Sequence, residues 1–139
     1  MITLRTDPKV RELRALDLFG HLTRRQLRRL ARTFDVVDVE AGLHLTDQGH
    51  LGREFFVVAG GTADVILDGK VINTVGRGEL LGELAVLDNI PRTATIVART
   101  PMRLFVAESR TLQALLTDVP VLHARVAAIH DAHRAGLAH

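Results

Sequence analysis

Between residues 34 and 107 the sequence consists of short runs of β-branched and aromatic residues that glycines separate. Two such runs flank Asp68-Gly69, a dipeptide typical of a two-residue hairpin turn. The runs that we predict as strands lie at 34–40, 43–45, 54–58, 62–67, 71–72, 95–98 and 102–107. Many short strands with glycine turns predict an antiparallel sandwich or a small barrel.

Helical patterns lie on both sides of these strands. Residues 7–19 predict a helix with Asp7 as its cap, and Thr23 with Gln26 forms a capping-box pattern for a second helix at 23–33. After the strands, one helix is expected at 109–116 and a last helix from Pro120 to about His133.

The expected organisation is a single domain spanning residues 1–139. Helices occupy about 7–33, a β-roll occupies about 34–107, and lid helices occupy about 108–136. The predicted fold class is therefore mainly β with flanking helices.

Composition excludes several classes of site. The chain has no cysteine, so it cannot hold a disulfide, a thiolate nucleophile or a zinc–sulfur centre. No apolar run is long enough to span a bilayer, and the first eight residues lack the apolar core of a signal peptide. A cytoplasmic location is expected. Arginines between 24 and 32 predict a solvated helix face, because no aromatic residues or DNA-reading motif accompany them.

The segment 82–95, GELAVLDNIPRTAT, places a carboxylate and a guanidinium on either side of one short turn of chain. Glycine at 82 lets backbone approach a ligand closely, and residues 84–87 predict the first turn of a helix, whose free N–H groups favour an anion. A ligand with a hydroxyl near an anion would satisfy both Glu83 and Arg92. A 3′,5′-cyclic nucleotide has both groups.

Gly82-Glu83-Leu84-Ala85, followed by Pro91-Arg92-Thr93-Ala94-Thr95, resembles the phosphate-binding cassette of cyclic nucleotide-binding domains. These domains occur in the catabolite activator protein, in protein kinase A and G regulatory regions and in cyclic nucleotide-gated channels. The resemblance extends from about residue 10 to 130. It implies a β jelly roll with an N-terminal helical bundle and a C-terminal helical lid.

The resemblance also assigns roles to residues of the cassette. Glu83 would accept the ribose 2′-hydroxyl, and Arg92 would pair with the phosphate oxygens through its planar fork. The backbone N–H groups of Ala85 and Thr93 would complete the anion cradle. The predicted ligand-binding set is Gly82, Glu83, Leu84, Ala85, Arg92, Thr93 and Ala94.

The base is expected to contact apolar strand residues and the last helix. The predicted contacts are Val58, Val65, Leu122, Arg125, Val126 and Ile129, although helix packing explains the apolar helix positions equally well. In eukaryotic relatives a threonine at position 93 accompanies cGMP, but many bacterial cAMP binders also carry serine or threonine there. Family frequency favours cAMP over cGMP.

The predicted function is a cyclic-nucleotide sensor, with no catalytic residue and no cofactor besides the nucleotide. Binding would order the cassette, swing the last helix onto the base and act through an unidentified protein partner. No DNA-binding domain is expected. The seam Leu122/Val126/Ile129 suggests a homodimer through the last helix.

Two other functions remain open. The first is an interaction module of the same fold that has lost or weakened nucleotide binding. The second is a jelly-roll metalloenzyme, although the chain lacks two histidines one residue apart in its strand region. The histidines of the last helix, including His130 and His133, are expected to be solvated polar residues, so no metal site is predicted.

Overall fold

The computed structural model describes residues 8–136. Two helices precede the strands, α1 (Pro8–Arg14) and α2 (Arg24–Thr33), and three follow or interrupt them, α3 (Glu83–Asp88), α4 (Ser109–Asp118) and α5 (Pro120–Ala135). The strands are β1 (Asp35–Val39), β2 (His44–Thr46), β3 (Glu54–Gly60), β4 (Ala63–Leu67), β5 (Lys70–Val75), β6 (Leu80–Leu81), β7 (Thr95–Ala98) and β8 (Met102–Glu108).

The strands form two four-stranded sheets in which the described pairs are antiparallel. One sheet has the order β1-β8-β3-β6 and the other has the order β2-β7-β4-β5. Strands distant in sequence therefore become neighbours, as β1 and β8 do. This arrangement, with helices at both ends of the chain, is the predicted jelly roll with flanking helices.

Strand β3 separates two buried clusters. Phe55 and Val57 face a cluster shared with the helices, which we call the helix-facing core, whereas Phe56 and Val58 face the interior between the sheets, which we call the roll core. The alternation follows from the two-residue side-chain period of a strand. All four side chains are buried because packed layers cover both faces of β3.

The helix-facing core is built around aromatic rings. Phe34, at the end of α2, lies 5.5 Å from Phe55, 6.0 Å from Phe19 and 6.1 Å from Phe105, measured between ring centroids. These tilted and edge-on arrangements are the favoured geometries for aromatic pairs. The cluster attaches the helices to the sheet that contains β3 and β8.

Two local predictions are confirmed. Asp68 (φ 51°) and Gly69 (φ 81°) both adopt the left-handed conformation, and they join β4 to β5 as a tight hairpin. Thr23 and Gln26 form the reciprocal capping box at the start of α2, with the two hydrogen bonds at 3.2 Å and 2.9 Å. Both features depend on residues close in sequence, so the pattern alone specifies them.

The first helix is shorter than predicted. It ends at Arg14 instead of residue 19, and the chain continues in turns stabilised by bonds such as Leu16 N–H to Leu13 O, 3.1 Å. These turns bury both Leu18 and Phe19 in the helix-facing core. The predicted cap Asp7 lies outside the described residues.

Two further observations concern surfaces. In the arginine-rich helix α2, Arg29 forms an ion pair with Asp118, and the other four arginines are exposed. Within residues 8–136, no helix is both long and apolar enough to cross a membrane.

Candidate functional site

The segment with the carboxylate and the guanidinium folds as a six-residue helix between two left-handed residues. Gly82 (φ 80°) precedes α3, and Asn89 (φ 54°) follows it and donates its backbone N–H to Ala85 O. A Cβ at position 82 would lie 2.8 Å from Arg92 Nη1 and 3.2 Å from Glu54 O. Glycine is therefore required there both by the backbone conformation and by the close approach of the guanidinium.

A neighbouring loop fixes the backbone of Arg92. Gly49 donates its N–H to Arg92 O, and Arg92 donates its N–H to His50 O, each at 2.9 Å. Gln48 N–H also donates to Thr95 Oγ1 at 2.9 Å. These bonds join the loop at 48–50 to the strand that follows the cassette, so the position from which the guanidinium extends is well defined.

The Arg92 side chain is buried, with 7% of its surface exposed. Among the described residues, its guanidinium donates one hydrogen bond, from Nη1 to Gly82 O at 3.2 Å. Burial lowers the pKa of Arg92, and the charge of Glu54 partly opposes this decrease. A guanidinium offers five N–H donors, so this buried cation retains capacity for an anionic ligand.

The Glu83 side chain is completely buried. His133 Nδ1, from α5, hydrogen-bonds to Glu83 Oε1, while Oε2 has no hydrogen-bond partner among the described residues. Burial raises the pKa of Glu83, and the hydrogen bond and charge of His133 oppose the increase. A buried carboxylate oxygen without a donor is costly, so the site is chemically incomplete at this atom.

Among the cavities that adjoin the cassette, two are lined by both Arg92 and Thr93. A cleft of about 910 Å³ has Arg92 and Thr93 on its floor, and its other lining residues are Gln48, Gly49, Leu67, Asp68, Leu84, Asp88, Ile90 and Arg134. A narrow cavity of about 10 Å³, enough for about one water, is lined by Thr46, Gly82, Ala85, Arg92, Thr93, Ala94 and Ile96. The cleft falls within the size range of small-molecule sites.

Six of the seven predicted ligand-binding residues therefore line these cavities. Glu83 is not among the residues lining either one. Glu83, which is predicted to bind the ribose 2′-hydroxyl, is buried and hydrogen-bonded to His133 of α5 instead.

The predicted base contacts lie elsewhere in this structure. Val58 and Val65 are buried in the roll core, and Leu122 and Val126 are buried in the helix-facing core, with Ile129 packed against it. Arg125 donates from Nη1 to Asp17 O at 2.8 Å. The seam that suggested a homodimer thus packs inside the chain. The homodimer stays a prediction, but buried Leu122 and Val126 do not supply its surface.

The prediction that the α5 histidines are solvated is wrong for His130 and His133. Both side chains are largely covered, with 14% and 13% of their surfaces exposed, and both contact α3. His130 Nε2 lies 2.7 Å from Asp88 Oδ1. They lie three residues apart and so project from one helix face, and that face packs against the cassette helix. Within residues 8–136 no group of three metal-ligating residues is positioned to hold an ion.

The contact between His130 and Asp88 predicts a pH-dependent stability. The hydrogen bond to Asp88 raises the pKa of His130 above its usual value, with Asp131 contributing in the same direction. Because the folded-state pKa is raised, the stabilisation should be complete below about pH 6.5 and lost as pH rises through the folded-state pKa.

The test compares free energies of unfolding for wild type and His130→Gln across this pH range. We expect the destabilisation by His130→Gln to be larger at acid than at alkaline pH, and this pH dependence to be smaller in an Asp88→Asn background, where Asp131 remains beside His130. Glu83, whose charge also acts on His130, is present in all four proteins. An equal effect of His130→Gln at both extremes would contradict the assignment.

Sequence comparison assigns the fold and the cassette to a family. Residues 36–118 match the cyclic nucleotide-binding domain family, and this range includes the cassette and both sheets. The match covers more than half of the chain. The chain belongs to the cyclic nucleotide-binding domain family.

Individual relatives of this cyclic nucleotide-binding domain support the same family assignment. The chain is 34% identical over 101 residues to the cAMP-dependent protein kinase regulatory subunit of Yarrowia lipolytica, covering 73% of this chain and 27% of the relative. It is 30% identical over 98 residues to the cGMP-dependent protein kinase of Toxoplasma gondii, covering 70% and 10%. The Thermus thermophilus catabolite activator protein structure superimposes with a TM-score of 0.76 at 25% identity, covering 86% and 58%.

These relatives are much longer than the region that matches. The domain spans between 10% and 27% of the length of the six curated relatives compared. The likeness therefore applies to the binding domain and not to the kinase activity of the longer proteins.

The structure adds site residues that sequence reasoning missed. Gly52 lies against Arg92, because a Cβ there would overlap the guanidinium. Arg134 and Asp68 line the cleft, and His133 covers Glu83. The spacing of His130 and His133 was the available signal, although nothing local indicates which surface that helix face would meet.

Proposed function

We propose that this domain binds a 3′,5′-cyclic nucleotide, cAMP in preference to cGMP, and that binding regulates a protein partner. The observation that carries the proposal is the buried Arg92 guanidinium on the floor of the large cleft, with one hydrogen bond among the described residues. A buried cation with free donors is costly unless an anion neutralises it. The cyclic phosphate is such an anion.

The second group of the ligand would meet Glu83. An ionised carboxylate offers only acceptors, so it suits a ribose hydroxyl and disfavours a second phosphate. Oε2 of Glu83 has no hydrogen-bond partner in the described part of the chain, and this supports the role, since a hydroxyl donor would satisfy it. The preference for cAMP is supported by four relatives named as cAMP-dependent regulatory subunits, at 30% to 38% identity, against 26% and 30% for two named as cGMP-dependent kinases.

The proposal includes no catalysis and no cofactor beyond the nucleotide. We expect bound nucleotide to be recovered unchanged after prolonged incubation. The partner is proposed to be a protein, because the family's relatives include kinase regulatory subunits. The expected location remains the cytoplasm, since a chain without cysteine suits a reducing compartment.

The deciding experiment is calorimetric titration of the purified chain, stripped of nucleotide, with cAMP, cGMP, linear 5′-AMP and 2′-deoxy-cAMP. We expect one-to-one binding of cAMP with micromolar or tighter affinity, weaker binding of cGMP, and much weaker binding of 5′-AMP and of 2′-deoxy-cAMP. No heat and no thermal shift with any nucleotide would favour the non-binding module of the same fold. Metal analysis of the same sample tests the metalloenzyme alternative.

Gly52 provides a further test of the phosphate position. In Gly52→Ala, the added methyl would overlap the Arg92 guanidinium and force it away from its present position. We expect cyclic-nucleotide affinity to fall about tenfold, or about 1.4 kcal/mol, with the fold intact. Gly60→Ala is the matched control, since nothing lies within 4 Å of its Cβ and its φ is not positive. Unchanged affinity in Gly52→Ala would place the phosphate away from this guanidinium.

A further inference from the structure

The cassette helix is held at both ends by the last helix of the chain. At its first residue, Glu83 Oε1 accepts the hydrogen bond from His133, and at its last residue Asp88 Oδ1 lies 2.7 Å from His130 Nε2. The two histidines are three positions apart on α5. Asp88 lies 42 positions before His130 in sequence, and Glu83 lies 50 positions before His133. The two contacts therefore place the C-terminal half of α5 along α3.

The contact between α5 and α3 blocks access to Glu83, the carboxylate that the proposed function requires. Glu83 has no exposed surface, and it lines neither the large cleft nor the narrow cavity. One of its oxygens is occupied by His133, and the other is buried without a hydrogen-bond partner among residues 8–136. Neither oxygen is therefore accessible to a ribose hydroxyl in this arrangement of α5 on α3.

We propose that His133 is an internal competitor of the ribose hydroxyl, so that the C-terminal part of α5 is a self-inhibitory latch on the nucleotide site. This inference rests on the proposed function. The phosphate of a nucleotide would bind Arg92 in the cleft. Its ribose hydroxyl would then replace His133 at Glu83, and the C-terminal end of α5 would be released. The helix that the sequence predicts to move onto the base is already packed on the cassette, so the first movement on binding is away from it.

The latch has a quantitative consequence. If the open form is a minor population, the apparent dissociation constant is the intrinsic constant divided by the open fraction. Removing the imidazole should raise the open fraction and tighten binding. The contact with His130 would remain and limit the effect, so removal of both histidines should tighten binding further.

The experiment uses the full chain with His133→Ala and, as a matched control, His123→Ala. His123 is an exposed histidine on the same helix and forms no side-chain hydrogen bond or ion pair to a described residue. His133→Asn is included because its amide can still donate a hydrogen bond toward Glu83. Circular dichroism and thermal melting confirm that each variant is folded before binding is measured.

Two readouts are taken. Without nucleotide, amide hydrogen exchange should become at least about tenfold faster at residues 130–135 in His133→Ala, and should be unchanged there in His123→Ala. With cAMP, His133→Ala should bind at least about fivefold more tightly than wild type, His133→Asn should lie between them, and His123→Ala should match wild type.

The outcomes separate the latch from the proposed function. If wild type binds and His133→Ala binds no more tightly, the latch is overturned and the proposed function stands. If wild type fails to bind and His133→Ala binds, the latch is supported, and the proposed function holds only for the form in which the latch is open. If neither protein binds, both are overturned. Unchanged exchange at residues 130–135 in His133→Ala would also overturn the latch, whatever the affinities.

Discussion

Replacing Arg92 with alanine should weaken cyclic-nucleotide binding by about 2–5 kcal/mol, which is roughly thirtyfold to several thousandfold in the dissociation constant. The guanidinium is buried and lies on the floor of the cleft. Its removal would leave the phosphate desolvated without its bidentate partner. Arg92→Lys should retain part of the affinity, because it preserves the charge but not the planar fork.

The matched control for this substitution is Arg134→Ala. Arg134 lines the same cleft but is exposed, so its charge is screened by water and its loss should cost less than about 1 kcal/mol. Calorimetric titrations of wild type and the three variants give the comparison. Equal losses for Arg92→Ala and Arg134→Ala would show that general positive charge, and not the buried guanidinium, binds the nucleotide.

Replacing Phe34 with alanine should have the largest effect on stability, about 3–5 kcal/mol. Its ring contacts Phe19, Phe55 and Phe105 and is 2% exposed, so truncation would leave a cavity where the helices meet the sheet. A domain of this size has a total stability of about 5–15 kcal/mol, so the variant should be close to its unfolding limit. Urea unfolding provides the measurement.

Two comparisons make this prediction specific. Phe34→Leu retains most of the volume and should cost roughly 1–1.5 kcal/mol, which remains measurable if the alanine variant does not fold. Val71→Ala, on the exposed edge strand β5, should change stability by less than about 0.5 kcal/mol. A loss below about 1 kcal/mol in Phe34→Ala would show that the helices contribute little through this ring.

The features predicted correctly from sequence are those determined by residues that lie close together along the chain. Asp68-Gly69 specifies its hairpin because both residues tolerate the left-handed conformation, and Thr23 with Gln26 specifies a helix start because the two side chains reach each other's backbone. The cassette belongs to the same class, since its glycine, carboxylate and guanidinium lie within eleven residues of each other, at 82–92.

The features that sequence missed depend on packing between distant segments. Gly52 and Arg92 are forty positions apart, and only the fold shows that the backbone of one leaves room for the guanidinium of the other. The face of α5 was misread for the same reason. His130 and His133 look like solvated polar residues until α3 is packed beneath them. Tertiary contact here overrides the usual expectation for an exposed histidine.

The two sides of the cleft differ in how they are braced. On one side, Gln48 and Asp68 form a reciprocal pair of hydrogen bonds. Gln48 Nε2 donates to Asp68 Oδ1 at 2.8 Å, and the backbone N–H of Asp68 donates to Gln48 Oε1 at 2.9 Å. This pair ties the loop at 48–50 to the β4–β5 hairpin. On the other side, α5 contacts α3 through the side chains of His130 and His133, which hydrogen-bond to Asp88 and Glu83. One side of the cleft is thus held by hydrogen bonds within the β-roll, and the other by the histidine contacts between α5 and α3. A ligand would be positioned against the first side, and its binding would displace the second.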